Sequence, residues 1–473
     1  MKILHISDKE KHEISPYLYM QFMEPLGVAD ASVDAAWDFV KNDWNPLVID
    51  KVRELAPTMI RFGGTMIDHY HWEEAVGPTR TPMINYCWGG IYHNQVGTHE
   101  IVDFCRKVNA EPLIVVNMES DGFQNWAYPQ AGVCRKGTAQ EAAEWVSYCN
   151  DSDNELRKSH GIEKPYGVKY WQIGNETSYY IRENTGFDVD GCYEVTNRFA
   201  EAMRKADPNI KLIGWGDRNY KKENWIKKMS RVEGVDLLAF HHHFGPGDKT
   251  SPLRSTKYRE DMERTWQYLM DAHKTLDEHI RELREDLGDK RLAMTEGHFA
   301  LPGRNRNEVL SSWGAGVAYA RCLNVIMRHS DVLDIATMAD FFGNVWQVNA
   351  VMIPAPVPFY GVPYLQPVGF VMSLFGKYQG KYALDCTCEG DVDVVASKTD
   401  NKIYLHIANT DMKNSQHLSL NLGKKAMMHV IAADPKTEIT PDNLDVFAVE
   451  DKAIDPRDFV LPPAAVAAIE IEV

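Results

Sequence analysis

Between about residue 17 and residue 340, short apolar runs alternate with amphipathic stretches. This alternation constrains the fold more than any other feature of the chain. The runs Tyr17-Leu-Tyr-Met-Gln-Phe-Met-Glu24, Thr58-Met-Ile-Arg-Phe-Gly-Gly64, Pro112-Leu-Ile-Val-Val-Asn117 and Val168-Lys-Tyr-Trp-Gln-Ile-Gly-Asn-Glu176 read as buried strands. Four more follow: Ile210-Lys-Leu-Ile-Gly-Trp215, Asp236-Leu-Leu-Ala-Phe-His-His-His243, Arg291-Leu-Ala-Met-Thr-Glu296 and a last one over 332–340. Helical patterns separate them over 46–56, 98–108, 139–149, 193–205, 223–229, 258–287 and 309–329. About eight strand-then-helix units point to a closed (β/α)8 TIM barrel of α/β class; a doubly wound sheet, the alternative, usually needs fewer units.

Beyond residue 376 the period changes to two. Val392-Asp-Val-Val-Ala-Ser397, Lys402-Ile-Tyr-Leu-His-Ile-Ala408 and His417-Leu-Ser-Leu-Asn-Leu422 alternate apolar with polar residues, and turn residues separate them. This is antiparallel β-sandwich character, jelly-roll-like, and the N-terminal strand is expected to join it. The expected organisation is residues 1–16 as a strand packing with the sandwich, 17–375 as the catalytic barrel and 376–473 as the C-terminal sandwich.

Composition enters as a filter on partners. A formal charge of −16 on 473 residues repels nucleic acid and anionic membranes. The cysteines at 87, 105, 134, 149, 192, 322, 386 and 388 are scattered without a CxxC pair, so neither a zinc site nor a disulfide framework is expected. The N-terminal residues lack a long apolar stretch, so the expectation is a cytoplasmic protein, although a chain trimmed of a leader would look the same.

Polar residues collect where the apolar runs end: Glu24, Asn117, Asn175, Glu176, His241, His243 and Glu296. In a barrel these ends share one face, where catalysis takes place. Gly174 relaxes the backbone before Asn175-Glu176, and a carboxyl at the mouth of a buried strand can be desolvated, which raises its pKa toward that of a general acid. Glu176 and Glu296 end the fourth and seventh strands, so their carboxyls can face each other across the mouth. Paired carboxyls suggest glycoside hydrolysis, retaining or inverting according to a separation that sequence does not give. Alternation turns His242 away from the pair His241 and His243, which leaves no fixed ligand spacing, so neither a metal nor another cofactor is expected. His69 and His71 read as loop hydrogen-bonders. Asn117 is balanced between closing a strand end and touching substrate.

Several motifs give the chain a resemblance to glycoside hydrolase family 51, the α-L-arabinofuranosidases of clan A. They are Ile14 through Glu24-Pro-Leu-Gly27, Arg61-Phe-Gly-Gly-Thr65 with Tyr70-His-Trp72 and Val76-Gly-Pro78, Gly97-Thr98 with Val115-Val-Asn117, and Tyr170-Trp-Gln-Ile-Gly-Asn175-Glu176. The resemblance implies a retaining exo-acting enzyme that removes terminal α-L-arabinofuranosyl residues from plant-derived oligo- or polysaccharides. Glu176 would be the acid/base and Glu296 the nucleophile. Asn175 would bind the sugar 2-hydroxyl, Glu24 would hold other hydroxyls, and Trp72 would line the cleft. A homo-oligomer is implied as well. The chain departs from the family pattern at Phe62 and Thr65, at His243, where a tyrosine is usual, at Gly297-His298, and over Met338–Gln347; these positions shape the sugar subsite. The other readings are a second clan A glycosidase, such as a β-D-galactofuranosidase or β-xylosidase, or a catalytically inactive carbohydrate-binding barrel.

Overall fold

The computed structural model of the chain describes residues 1–121, 135–179, 188–218, 223–301, 308–354, 361–420, 422 and 425–472. Cys134 lies outside them; the other cysteines are free thiols.

The barrel strands are β1 (Gln21–Met23), β2 (Met59–Phe62), β3 (Glu111–Val116), β4 (Tyr170–Ile173), β5 (Lys211–Trp215), β6 (Leu237–Phe244), β7 (Arg291–Phe299) and β8 (Leu333–Ala336). Successive strands pair in parallel from β1 to β8. The ring closes through a parallel bridge between Tyr17 and Ile335, where Met20 N–H donates to the Ala336 carbonyl at 2.9 Å. Parallel strands need crossovers, and the helices supply them. These are α1 (Pro46–Leu55), α2 (Thr98–Lys107), α3 (Ala139–Asn150), α4 (Val189–Ala206), α5 (Ile226–Met229), α6 (Met262–Glu285), α7 (Trp313–Arg328) and α8 (Pro367–Lys377). Their starts are written locally: Asn45, Thr138 and Asp188 accept from backbone N–H groups of the first turns of α1, α3 and α4.

Two differences from the sequence expectation affect the site. The expected strand over 332–340 ends at Ala336. A separate segment, Asp340–Gly343, pairs instead with β1 through Phe22 and with Asn349–Met352. Strand β7 runs on past Glu296 to Phe299, and its register against β6 shifts between Phe240 and His241. Met294 pairs with Phe240 and Glu296 with His241, so Thr295 is bulged out. The bulge sets Glu296 level with His241, and His298 level with His243.

Residues 382–472 form the second β layer system. The N-terminal strand Lys2–Glu13 pairs antiparallel with Tyr382–Thr387 and parallel with Gln416–Leu420, so one long irregular strand joins the sandwich as expected. Helix α7 fixes the sandwich to the barrel. The Trp313 indole donates to the Ala464 carbonyl at 2.7 Å, and Asp393 accepts from Asn324 at 2.8 Å while pairing with Arg321 and Arg328.

Candidate active site

The site grows from the C-terminal ends of β1, β2, β4, β6 and β7. Its centre is Arg61 on β2, a fully buried cation. Its Nη1 donates to Glu296 Oε1 at 2.9 Å, its Nη2 to Asn175 Oδ1 at 2.6 Å and its Nε to Gln172 Oε1 at 2.9 Å. One guanidinium thus ties the end of β7 to the end of β4. Its planar fork suits this better than a lysine ammonium would.

Backbone geometry at the end of β4 is unusual. Gly174 has φ +72° and Glu176 has φ +50°, a left-handed conformation that costs a non-glycine residue about 1 kcal/mol. The turn brings Glu176 over the mouth rather than along the strand. There its Oε1 lies 2.9 Å from His241 Nδ1, and Glu296 Oε2 lies 3.5 Å from the same nitrogen. His241 Nε2 lies 2.9 Å from the Thr295 hydroxyl, the residue that the bulge displaces. Two carboxyls around Nδ1 require that nitrogen to carry the proton, so Nε2 accepts from Thr295. Burial pushes the His241 pKa down to about 4, so the ring is a neutral donor. Donor atoms of Glu176, Glu296 and His243 all lie within 4.8 Å of one another.

Glu24, at the end of β1, is buried on the other side of Arg61. Its Oε1 accepts from Met66 N–H at 2.7 Å and from the Trp88 indole at 2.8 Å. Burial, and then the nearby Glu296, push its pKa well up. The double glycine makes room for it. Gly63 has φ +122°, and a Cβ on Gly64 would stand 2.3 Å from Glu24 Oε2.

The remaining expected site residues divide. His243 faces the mouth: its Nε2 is 3.9 Å from Glu296 Oε2 and its ring lies 4.6 Å from that of His298. His242 points outward, as alternation requires, and contacts His279 and Thr275 of α6. Thr65 opens the 3-10 turn Thr65–His69, which presents the Met66 N–H to Glu24. Asn117 spends its amide on the loop, donating to the carbonyls of Asp68 and Ser120 and accepting from Ser120 N–H. Trp72 departs from the expectation. It is buried, stacked on Trp145, with its indole N–H on the Glu141 carbonyl, so it packs the β/α layer and offers no face to a sugar. The half-exposed aromatic beside Glu24 is Trp88, in edge contact with Trp346. His71 binds Glu141 and the Arg135 carbonyl as a loop residue. His69 lies beside the Cys87 thiol.

Sequence reasoning passed over Arg61 and Trp88 as site residues, and it met His298 and Asp340 only as departures from the family pattern around the sugar subsite. Arg61 carried a signal, a lone cation inside an apolar strand; His298 and Asp340 depend on the bulge and on the split last strand.

Comparisons with known proteins agree with this geometry. Residues 51–269 match the family model described as the α-L-arabinofuranosidase 1 domain. An intracellular exo-α-L-arabinofuranosidase of Bacteroides ovatus is 26% identical over 91% of this chain and 87% of its own length. An intracellular exo-α-(1→5)-L-arabinofuranosidase of Bacillus subtilis is 29% identical over 52% of this chain, which spans about half (49%) of that protein. Among solved structures, the α-L-arabinofuranosidase of Thermotoga maritima in its arabinose complex superposes over 100% of both chains with TM-score 0.76 and 22% identity. The family 51 arabinofuranosidase of Xanthomonas axonopodis covers 99% of both with TM-score 0.79 and 20% identity. The chain is thus similar to the α-L-arabinofuranosidases in sequence, and it shares the fold of the family 51 structures over nearly its whole length. The fold is shared more widely, since a family 44 xyloglucanase of Paenibacillus polymyxa superposes with TM-score 0.64 at 12% identity.

Proposed function

We propose that the protein is a retaining, exo-acting α-L-arabinofuranosidase with Glu176 as acid/base and Glu296 as nucleophile. One observation carries the reading: carboxyl oxygens of Glu176 and Glu296 approach within 4.8 Å. Retention places the two carboxyl groups about 5–5.5 Å apart and inversion about 6.5–9.5 Å; the close approach of their nearest oxygens supports the nearer arrangement.

The chemistry follows from what each atom touches. Arg61 holds Glu296 Oε1 and leaves Oε2 turned toward the mouth, where it can attack an anomeric carbon. His241 donates to Glu176 Oε1 and so orients the carboxyl that carries the proton for the leaving alcohol. In the second half-reaction Glu176 takes a proton from water, and the water displaces Glu296 from the sugar. Asn175 Oδ1 accepts from Arg61, and its buried Nδ2 has no partner among the described residues, so that N–H is positioned for a sugar hydroxyl. The Glu24 carboxyl, held by the Trp88 indole, offers the next polar contact.

Arabinose-containing oligosaccharides are the proposed substrates, consistent with the names of the relatives. The same reading places the protein in the cytoplasm as a homo-oligomer. No helix among the described residues is long and apolar enough to cross a membrane. Light scattering tests the assembly. The test of function is hydrolysis of aryl α-L-arabinofuranoside, β-D-galactofuranoside and β-D-xylopyranoside by wild type, Glu176→Gln and Glu296→Gln. Arabinofuranoside cleavage that disappears in Glu296→Gln is expected. A preference for another glycoside overturns the substrate, and no cleavage of any of them favours a binding barrel.

A further inference from the structure

His243 gives the carboxyl pair a third donor of a different kind. It ends β6 level with His298, and its side chain is 29% exposed to the mouth. Its Nε2 lies 3.9 Å from Glu296 Oε2, and it makes no hydrogen bond among the described residues. Glu296 Oε1 is occupied by Arg61, so Oε2 is the oxygen left for another ligand. Glu176 is oriented by His241. The two carboxylate donors are thus already positioned by hydrogen bonds from neighbours, the support that metal ligands require.

We infer that Glu176, His243 and Glu296 form a binding site for a divalent cation of the zinc class, and that its occupancy stops hydrolysis. The donor set decides the class. One imidazole nitrogen with two carboxylate oxygens suits zinc, copper or nickel, whereas magnesium and calcium prefer oxygen alone. Three protein ligands leave a fourth position open to water. The donors, now within 4.8 Å of one another, need to close to about 3.4 Å around a tetrahedral ion whose bonds are about 2.1 Å. Two carboxylates outweigh the single guanidinium of Arg61, so the site retains net negative charge. Binding neutralises the nucleophile and requires Glu176 to be deprotonated, so the cation removes both halves of the acid–nucleophile pair at once.

Only the inhibition rests on the function proposed above; the binding does not. The test is calorimetric titration of ZnCl2, with CoCl2 followed by visible absorption, into the full chain after removal of adventitious metal. Wild type, His243→Phe, His243→Gln and Glu296→Gln are compared, each checked for a wild-type circular dichroism spectrum. One zinc equivalent in wild type, weakened at least about tenfold in each variant, with no comparable binding of MgCl2, is expected. Zinc at the same concentration is expected to inhibit glycoside hydrolysis by the wild type. No zinc binding to wild type, or wild-type affinity in a folded His243 variant, overturns the inference. Zinc bound as expected without hydrolysis of any glycoside leaves the site standing and removes the arabinofuranosidase reading. Hydrolysis with zinc bound but without effect on rate overturns the inhibitory role.

Discussion

The two flanks of the barrel mouth are built differently. On the flank made by β2, β4, β6 and β7, Arg61, Gln172, Asn175, His241 and Glu296 hold one another in a closed network, with Asn175 Nδ2 left over. On the flank made by Asp340–Gly343 and the residues after it, buried polar atoms lack hydrogen-bond partners among the described residues: both oxygens of Asp340, the Trp346 indole nitrogen and Asn349 Oδ1. His298 approaches Asp340 only at 3.5 Å. A satisfied network holds its members in one geometry, which bond-breaking requires. The departures from the family pattern fall on both flanks, at Phe62, Thr65, His243 and Gly297-His298 on the first and over Met338–Gln347 on the second.

The largest expected effect comes from opening the closed flank. Arg61→Met leaves Glu296 buried without its cation and Asn175 without its donor. Breaking a buried pair costs about 3–5 kcal/mol, and kcat should fall at least about a hundredfold. Denaturant unfolding and steady-state kinetics read the two effects. A variant within twofold of wild type in kcat would contradict the role of the network. Glu176→Gln comes next: kcat should fall about 10²–10⁴-fold, less for aryl leaving groups that need no proton. Equal losses for good and poor leaving groups would argue against an acid role.

Aromatic substitutions separate the walls further. Trp88→Phe removes an indole donor from Glu24 and should raise KM about three- to tenfold, the scale of one lost hydrogen bond, with little change in melting temperature. Trp72→Phe should do the opposite: a loss of about 1–3 kcal/mol in stability, with KM unchanged. If the Trp72 variant loses substrate affinity instead, that residue reaches the sugar after all.

The smallest effect belongs to Asp340. Burial, and then the nearby Glu296 and Asp30, push its pKa well up, so the folded chain keeps a proton that the unfolded chain releases above about pH 4. The unfolded state then binds fewer protons, and this group's contribution to stability is lost as pH rises from the unfolded value toward the folded one. Asp340→Asn removes that dependence. The variant should match wild type near pH 4 and exceed it by about 1 kcal/mol near pH 8 in thermal or denaturant unfolding. A variant less stable at pH 8 would mean that Asp340 is ionised and paired.

Much of this was legible in the sequence, for identifiable reasons. Parallel barrel strands are apolar throughout, so β3 and β4 stood out, and Gly174-Asn175-Glu176 marked a strand end that turns into the mouth. Period-two alternation correctly turned His242 outward, against α6. Other features had no local signature. The bulge at Thr295 arises from pairing between two strands, so neither the extension of β7 nor the level placing of His243 and His298 could be read from one segment. The last apolar run looked continuous although the chain breaks it after Ala336. Trp72 and Trp88 are both aromatics in polar loop sequence, and only packing tells that one stacks on Trp145 while the other meets Glu24.

The central claim is that Glu296 forms a covalent bond to the sugar while Glu176 handles the proton. Its most direct test is mass spectrometry of peptides from the protein incubated with a fluorinated, activated arabinofuranoside whose glycosyl-enzyme turns over slowly. The account predicts one arabinofuranosyl adduct, on Glu296, absent in Glu296→Gln and accumulating in Glu176→Gln. An adduct on another residue, or hydrolysis that proceeds with inversion and leaves no adduct, would contradict it.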